Sequence, residues 1–184
     1  MIYLDYSATT PVEESVLNSY IETTKKIIGN PNSLHKLGVD AKRLIDRATS
    51  QIATILGVKP NEIIYTSGAS EANNTAIKGI CLKYQNRGKH IITTSLEHSS
   101  IIEPLNYLKE LGFEIEYVNL TPSGKVDLKD LEKKLREDTI LVTIASISSE
   151  LGIIQPVNEI GKIVKKYPKA FFHSDITQSM GKEK

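Results

Sequence analysis

Apolar and polar positions alternate along this chain in blocks that switch between helical and strand spacing. Val16, Tyr20, Ile27 and Ile28 recur at roughly helical intervals until Gly29, and Thr10-Pro11-Val12-Glu13 has the form of a capping box with proline at the first helical position. Leu37, Ala41, Leu44, Ile45, Ala48, Ile52 and Ile55 form a second stripe, predicting a helix over 33–56 that Gly57 stops. Short runs rich in β-branched residues then predict strands over 62–66, 90–94, 113–119, 140–146 and 170–175. Helical patterns lie between them, over 69–85, 99–111, 128–136 and 156–166, and Thr121-Pro122-Ser123-Gly124 makes a turn. Strands separated by helices of about 10–17 residues imply crossover connections. The expected fold is α/β, a mainly parallel sheet with helices on both faces.

Composition narrows the class. A chain of 184 residues with 40% hydrophobic and 24% charged residues is that of a soluble globular protein, one large domain with at most a small appendage. A net charge of +1 makes no case for nucleic acid or an anionic membrane as partner. Its apolar runs are too short to span a bilayer, and the first residues lack the basic and apolar regions of a secretory signal. Cys81 is the single cysteine, so no internal disulfide forms, and a cytoplasmic location is expected.

Three segments could carry chemistry, each at the carboxyl end of a predicted strand, where open α/β sheets keep their ligands. Thr66-Ser67-Gly68-Ala69-Ser70-Glu71 opens a helix whose free N–H groups suit a phosphate, with hydroxyls of Ser67 and Ser70 nearby; it also reads as an ordinary turn with a serine cap. It is neither a Walker loop nor a dinucleotide fingerprint. His98 could stack on a flat cofactor and move protons, or cap a helix. Asp175 could hold a protonated heterocyclic nitrogen such as the pyridinium of pyridoxal phosphate, or cap the next turn. His35, His90 and His173 lack metal-ligand spacing, so no metal site is expected. Convergence of the three segments on one sheet rim points to an α/β enzyme with a phosphorylated cofactor.

In its motifs the chain resembles the amino-terminal part of cysteine desulfurases of the NifS/IscS type, class V of the aminotransferase-like enzymes. The likeness runs through Tyr3-Leu4-Asp5-Tyr6-Ser7-Ala8-Thr9-Thr10-Pro11, Gly29-Asn30-Pro31-Asn32-Ser33-Leu34-His35, Thr66 to Glu71, Glu97-His98, Glu150-Leu151-Gly152 and His173-Ser174-Asp175-Ile176-Thr177-Gln178-Ser179. It implies removal of sulfur from L-cysteine to leave alanine and a protein persulfide, passed to an iron–sulfur scaffold or another sulfur acceptor. It also implies pyridoxal phosphate as cofactor: Ala69 and Ser70 at its phosphate, His98 on its ring, Asp175 at its ring nitrogen, and Gln178 at its phenolic oxygen. Ser149 stands where the family has an asparagine, and its shorter hydroxyl would reach that oxygen through water.

By the same resemblance the Schiff-base lysine and the persulfide-forming cysteine are expected beyond Lys184, and Cys81, on a helix, is expected to be a buried structural thiol. Residues 1–30 are then an amino-terminal segment and helix, and 31–184 part of the cofactor-binding large domain, without its remainder or a small carboxyl-terminal domain. The chain alone is expected to be inactive, and to self-associate because the strand ending at Asp175, interior in the complete sheet, would leave apolar residues and an unpaired edge exposed; by the resemblance the complete enzymes are homodimers. The alternatives are a non-enzymatic binding or regulatory module, or half of a split enzyme such as a selenocysteine lyase or class V aminotransferase.

Overall fold

The computed structural model describes residues 2–182. They form two compact units, the first running to Tyr65 and the second beginning at Thr66. The first unit holds α1 (Glu14–Lys26), α2 (Lys36–Leu56) and a short 3-10 turn, Pro60–Glu62. Both helices start later than the pattern predicts. At α1 the cap is Glu13, whose carboxylate accepts from the Val16 N–H at 3.2 Å and from the Ser15 hydroxyl, so Thr10 and Pro11 stay outside the helix. At α2 the delay comes from a turn in which Asn30 Oδ1 accepts from Asn32 N (2.9 Å) and Asn30 O from Ser33 N (2.9 Å), leaving His35 as the cap. A Cβ on Gly38 would stand 2.3 Å from Ser33 O, so only glycine lets this turn lie against the start of α2. Gly57 ends α2 in the left-handed conformation, φ 67°, as the sequence predicts.

The stripe on α2 is largely unburied: Ala41 is covered, while Leu37, Leu44, Ile45, Ile52 and Ile55 are exposed, and α1 buries none of its residues. The strand expected over 62–66 is also absent; Ile63 is extended, but residues 63–66 join no ladder. Extended backbone becomes sheet only when a neighbour accepts its hydrogen bonds.

The second unit contains the sheet. Its elements are α3 (Ala69–Tyr84), β1 (His90–Thr93), α4 (Ser99–Glu110), β2 (Glu114–Tyr117), α5 (Leu128–Lys134), β3 (Thr139–Thr143), α6 (Val157–Val164) and β4 (Phe171–His173). All three strand pairings are parallel and the spatial order is β2-β1-β3-β4. Central β1 and β3 are buried throughout, with apolar middles, Ile91-Ile92 and Ile140 to Val142, between polar ends; β2 and β4 lie at the edges and are less covered. Helices cover both faces. Ile77 and Cys81 of α3 and Ile101, Leu105 and Leu108 of α4 pack on Ile91 and Leu141, while Leu131 of α5 and Ile160, Ile163 and Val164 of α6 pack on Ile92 and Val142. The α/β class with helices on both faces therefore holds.

Cys81 lies wholly inside the first of these clusters, and burial pushes its thiol up to about 12. It should resist iodoacetamide in the native protein at mildly alkaline pH and react at once in denaturant. Mass spectrometry checks this, and rapid native alkylation would refute the buried thiol.

Candidate active site

The order β2-β1-β3-β4 places a topological switch between β1 and β3, because the chain leaves these strands toward opposite edges of the sheet. The crevice at the carboxyl ends of such a pair is where open α/β folds bind ligands. Thr94 to His98 leave β1 there, and Ala145 to Ser149 leave β3. Glu97 closes the crevice from within. Its carboxylate accepts from the Thr94 hydroxyl (2.6 Å) and, through both oxygens, from the Ala145 N–H at 3.2 and 3.0 Å. Burial raises its pKa to about 7, against the lowering effect of those bonds, and the charge of Asp175 raises it further.

Asp175 follows β4, and its main chain is pinned by β3: Ser146 N–H and Ser146 Oγ donate to Asp175 O at 2.9 and 3.1 Å. The carboxylate divides its work. Oδ1 accepts from the amide (2.9 Å) and hydroxyl (2.6 Å) of Thr177, and Oδ2 accepts from Asn73 Nδ2 at 2.9 Å. Burial on its own would raise the pKa of this group, but the bonds from Thr177 and Asn73 and the neighbouring His173 hold it below the ordinary carboxylate range. Asp175 is thus a half-buried anion with three donors already on it. A carboxylate has about four acceptor sites, so Oδ2 can take one more N–H. His173 itself pairs with Thr143 Oγ1 at 2.9 Å, and burial lowers its pKa against the raising effect of Asp175.

At the start of α3, Gly68 offers no side-chain cap, which leaves helix N–H groups at Ala69 and Ser70 facing outward with the positive end of the dipole. Ser67 is not a further phosphate donor. Its amide and hydroxyl both donate to Glu71 Oε2, at 2.7 and 2.6 Å, because a glutamate three positions into the helix can reach back over the first turn. His98 caps α4, accepting from Ser100 N at 3.1 Å through Nδ1, with its ring exposed. Gln178 lies half-buried on the turn that follows Asp175. Ser149 sits exposed on the 148–152 turn, outside the hydrogen-bonded group around Asp175.

Two side chains that no motif singled out join these pieces. Asn73, one turn into α3, donates to Asp175 and also to Ser100 Oγ (3.0 Å), which lies 2.9 Å from His98 Nδ1. Asn73 shares its helix face with Ile77 and Cys81 at intervals of four, so an amide on an otherwise apolar stripe was the available signal.

The donor set suits a flat cationic ring carrying a phosphate: an anion for the ring nitrogen, an uncapped helix start for the phosphate, and an exposed imidazole. The class-V aminotransferase family model matches residues 2–184.

The chain belongs to that family.

Among individual relatives, a cysteine desulfurase IscS of Dictyoglomus turgidum is 44% identical over 180 residues, covering 98% of this chain and 45% of its own length. The solved structure of a NifS-like protein superposes with a TM-score of 0.91 at 39% identity, covering 95% of this chain and 48% of that one. A structure of SspA in complex with cysteine superposes at 0.89 with 37% identity, covering 96% and 51% respectively. The chain thus spans about half the length of the curated relatives it matches.

Glu97 gives a measurable pH signature. Its folded pKa of about 7 exceeds its ordinary 4.5, so between these values the folded state binds more protons than the unfolded one and stability falls as pH rises. Replacing it by glutamine should remove this slope. In urea titrations Glu97→Gln should gain stability over the native protein when pH moves from about 5 to about 8; a constant difference would show that Glu97 titrates normally.

Proposed function

We propose that these residues are the amino-terminal part of a pyridoxal-phosphate-dependent cysteine desulfurase, which takes sulfur from L-cysteine, leaves alanine and passes a persulfide to an iron–sulfur scaffold or thiolation partner. The observation that carries this reading is Asp175: a carboxylate held ionised, half-buried, at the end of β4 and tied to the start of α3. The names of the desulfurase relatives and the cysteine held by SspA support the substrate class. In this reading residues 1–30 form the amino-terminal segment and 31–184 belong to the large, cofactor-binding domain. No described helix is long and apolar enough to cross a membrane, and the proposed setting is the cytoplasm.

Pyridoxal phosphate, when bound, supplies an electron sink for bond cleavage at the amino acid. Asp175 would pair with its ring nitrogen and keep that nitrogen protonated. The N–H groups at Ala69 and Ser70 would hold the phosphate at the helix dipole. His98 would lie on the ring and move a proton, while Gln178 and, through water, Ser149 would address the phenolic oxygen. Cys81, locked in the core as a neutral thiol, does not carry sulfur. The covalent lysine anchor and the sulfur-carrying thiol belong, in this proposal, to sequence outside these 184 residues.

Binding tests the reading directly. Pyridoxamine 5′-phosphate is the suitable probe, since it forms no Schiff bases with surface lysines. It should bind saturably, and Asp175→Ala should weaken it by roughly tenfold or more, the value of one charged hydrogen bond; equal binding by both forms would overturn the assignment. The 184-residue chain should release no alanine from L-cysteine. Its exposed apolar face on α2 also predicts association with a second copy, seen as a mass rising with concentration in light scattering. A monomer throughout the series would remove the homodimer from the proposal.

A further inference from the structure

We propose that Asn73 and Ser100 are positioning residues that join Asp175 to His98, so that the anion at the ring nitrogen and the imidazole on the ring are oriented as one unit. The inference rests on the cofactor reading above and adds two residues to it. Asn73 and Ser100 are 4% and 8% exposed, whereas His98 is exposed and Asp175 half-buried.

The direction of the hydrogen bonds follows from chemistry. An ionised carboxylate only accepts, so Asn73 must turn Nδ2, not its oxygen, toward Asp175 Oδ2 at 2.9 Å. The second hydrogen of that amide goes to Ser100 Oγ at 3.0 Å. Ser100 Oγ accepts it and is left with its own hydrogen, 2.9 Å from His98 Nδ1. The Ser100 N–H donates to the same nitrogen at 3.1 Å. The bonds from Asn73 to Ser100 and from Ser100 to His98 run toward an unprotonated Nδ1, while the other hydrogen of the same amide is held by Asp175. The neutral imidazole therefore carries its hydrogen on Nε2, which leaves Nε2 as the nitrogen able to donate toward a bound ring or substrate. Rotating the ring would forfeit both bonds at Nδ1, and withdrawing the charge of Asp175 would weaken the first link of the chain.

A structural role alone would make Asn73 and Ser100 matter for folding but not for the state of His98. The experiment therefore reads His98 by two-bond proton–nitrogen spectra of the cofactor-free chain near neutral pH. The native protein should show a single Nε2–H tautomer. Asp175→Asn should move the His98 Nδ1 resonance, and this response should vanish when Asn73→Ala is added. Ser100→Ala should give mixed tautomers, and Ser100→Thr, which keeps the hydroxyl, should restore one. With pyridoxamine 5′-phosphate as probe, Asn73→Ala and Ser100→Ala should each bind about tenfold more weakly and Ser100→Thr about as well as the native chain. An Nδ1 resonance indifferent to Asp175→Asn, or a Ser100→Ala protein with native spectrum and affinity, overturns the coupling. If Asn73→Ala does not fold, the Ser100→Ala and Ser100→Thr pair decides. Coupled spectra in a native chain that binds no probe would support the linkage and overturn the cofactor reading instead.

Discussion

The hydrogen bond from Asn73 to Asp175 is the constraint on which the site depends. It spans 102 positions of sequence and ties the first turns of α3 to the end of β4. Without a donor there, a half-buried carboxylate would be driven toward its neutral form by desolvation. With that bond and the two from Thr177, the group stays anionic inside the rim of the sheet. The same amide reaches Ser100, so the start of α4 and the end of β4 share one buried asparagine.

This arrangement is possible because the sheet is parallel and its order reverses between β1 and β3. All four strands end on one rim, so residues far apart in sequence meet without a long loop. Glu97 bridges from the end of β1 to the Ala145 N–H, beyond β3, and stitches the switch point together. Being buried beside another acid, it holds a proton to near neutrality, while Asp175, with more donors, does not. Two carboxylates in one crevice thus differ because their partners differ.

Much of the second unit was legible from pattern. Central strands such as Ile91-Ile92 and Ile140 to Val142 are buried on both faces, and a run buried on both faces must be apolar throughout. Helix positions such as Ile77 and Cys81 or Leu105 and Leu108 announced themselves by spacing. Residues 63–66 have strand composition but no ladder, and Thr10 has the form of a cap while Glu13 performs the capping. Ser67 has the form of a phosphate donor, yet Glu71 takes both its hydrogens. In the last two cases a nearby carboxylate, Glu13 or Glu71, takes the donors, and in the first no neighbouring strand pairs with the segment.

By itself, then, the sequence determined the α/β class, the buried strands, the inert Cys81, and His98 and Asp175 as residues placed just after strands. Those follow from periodicity, burial and composition, which act over a few neighbouring positions. Only the tertiary structure decided that Asn73 and Ser100 stand between those two residues, that Glu97 fills the switch crevice, and that Ser67 faces Glu71 rather than a ligand. These are pairings at distances of about 3 Å between groups 2 to 102 positions apart. A hydrogen bond needs donor and acceptor aligned within tenths of an ångström, and that alignment is set by how helices and strands pack, not by any residue's own preference.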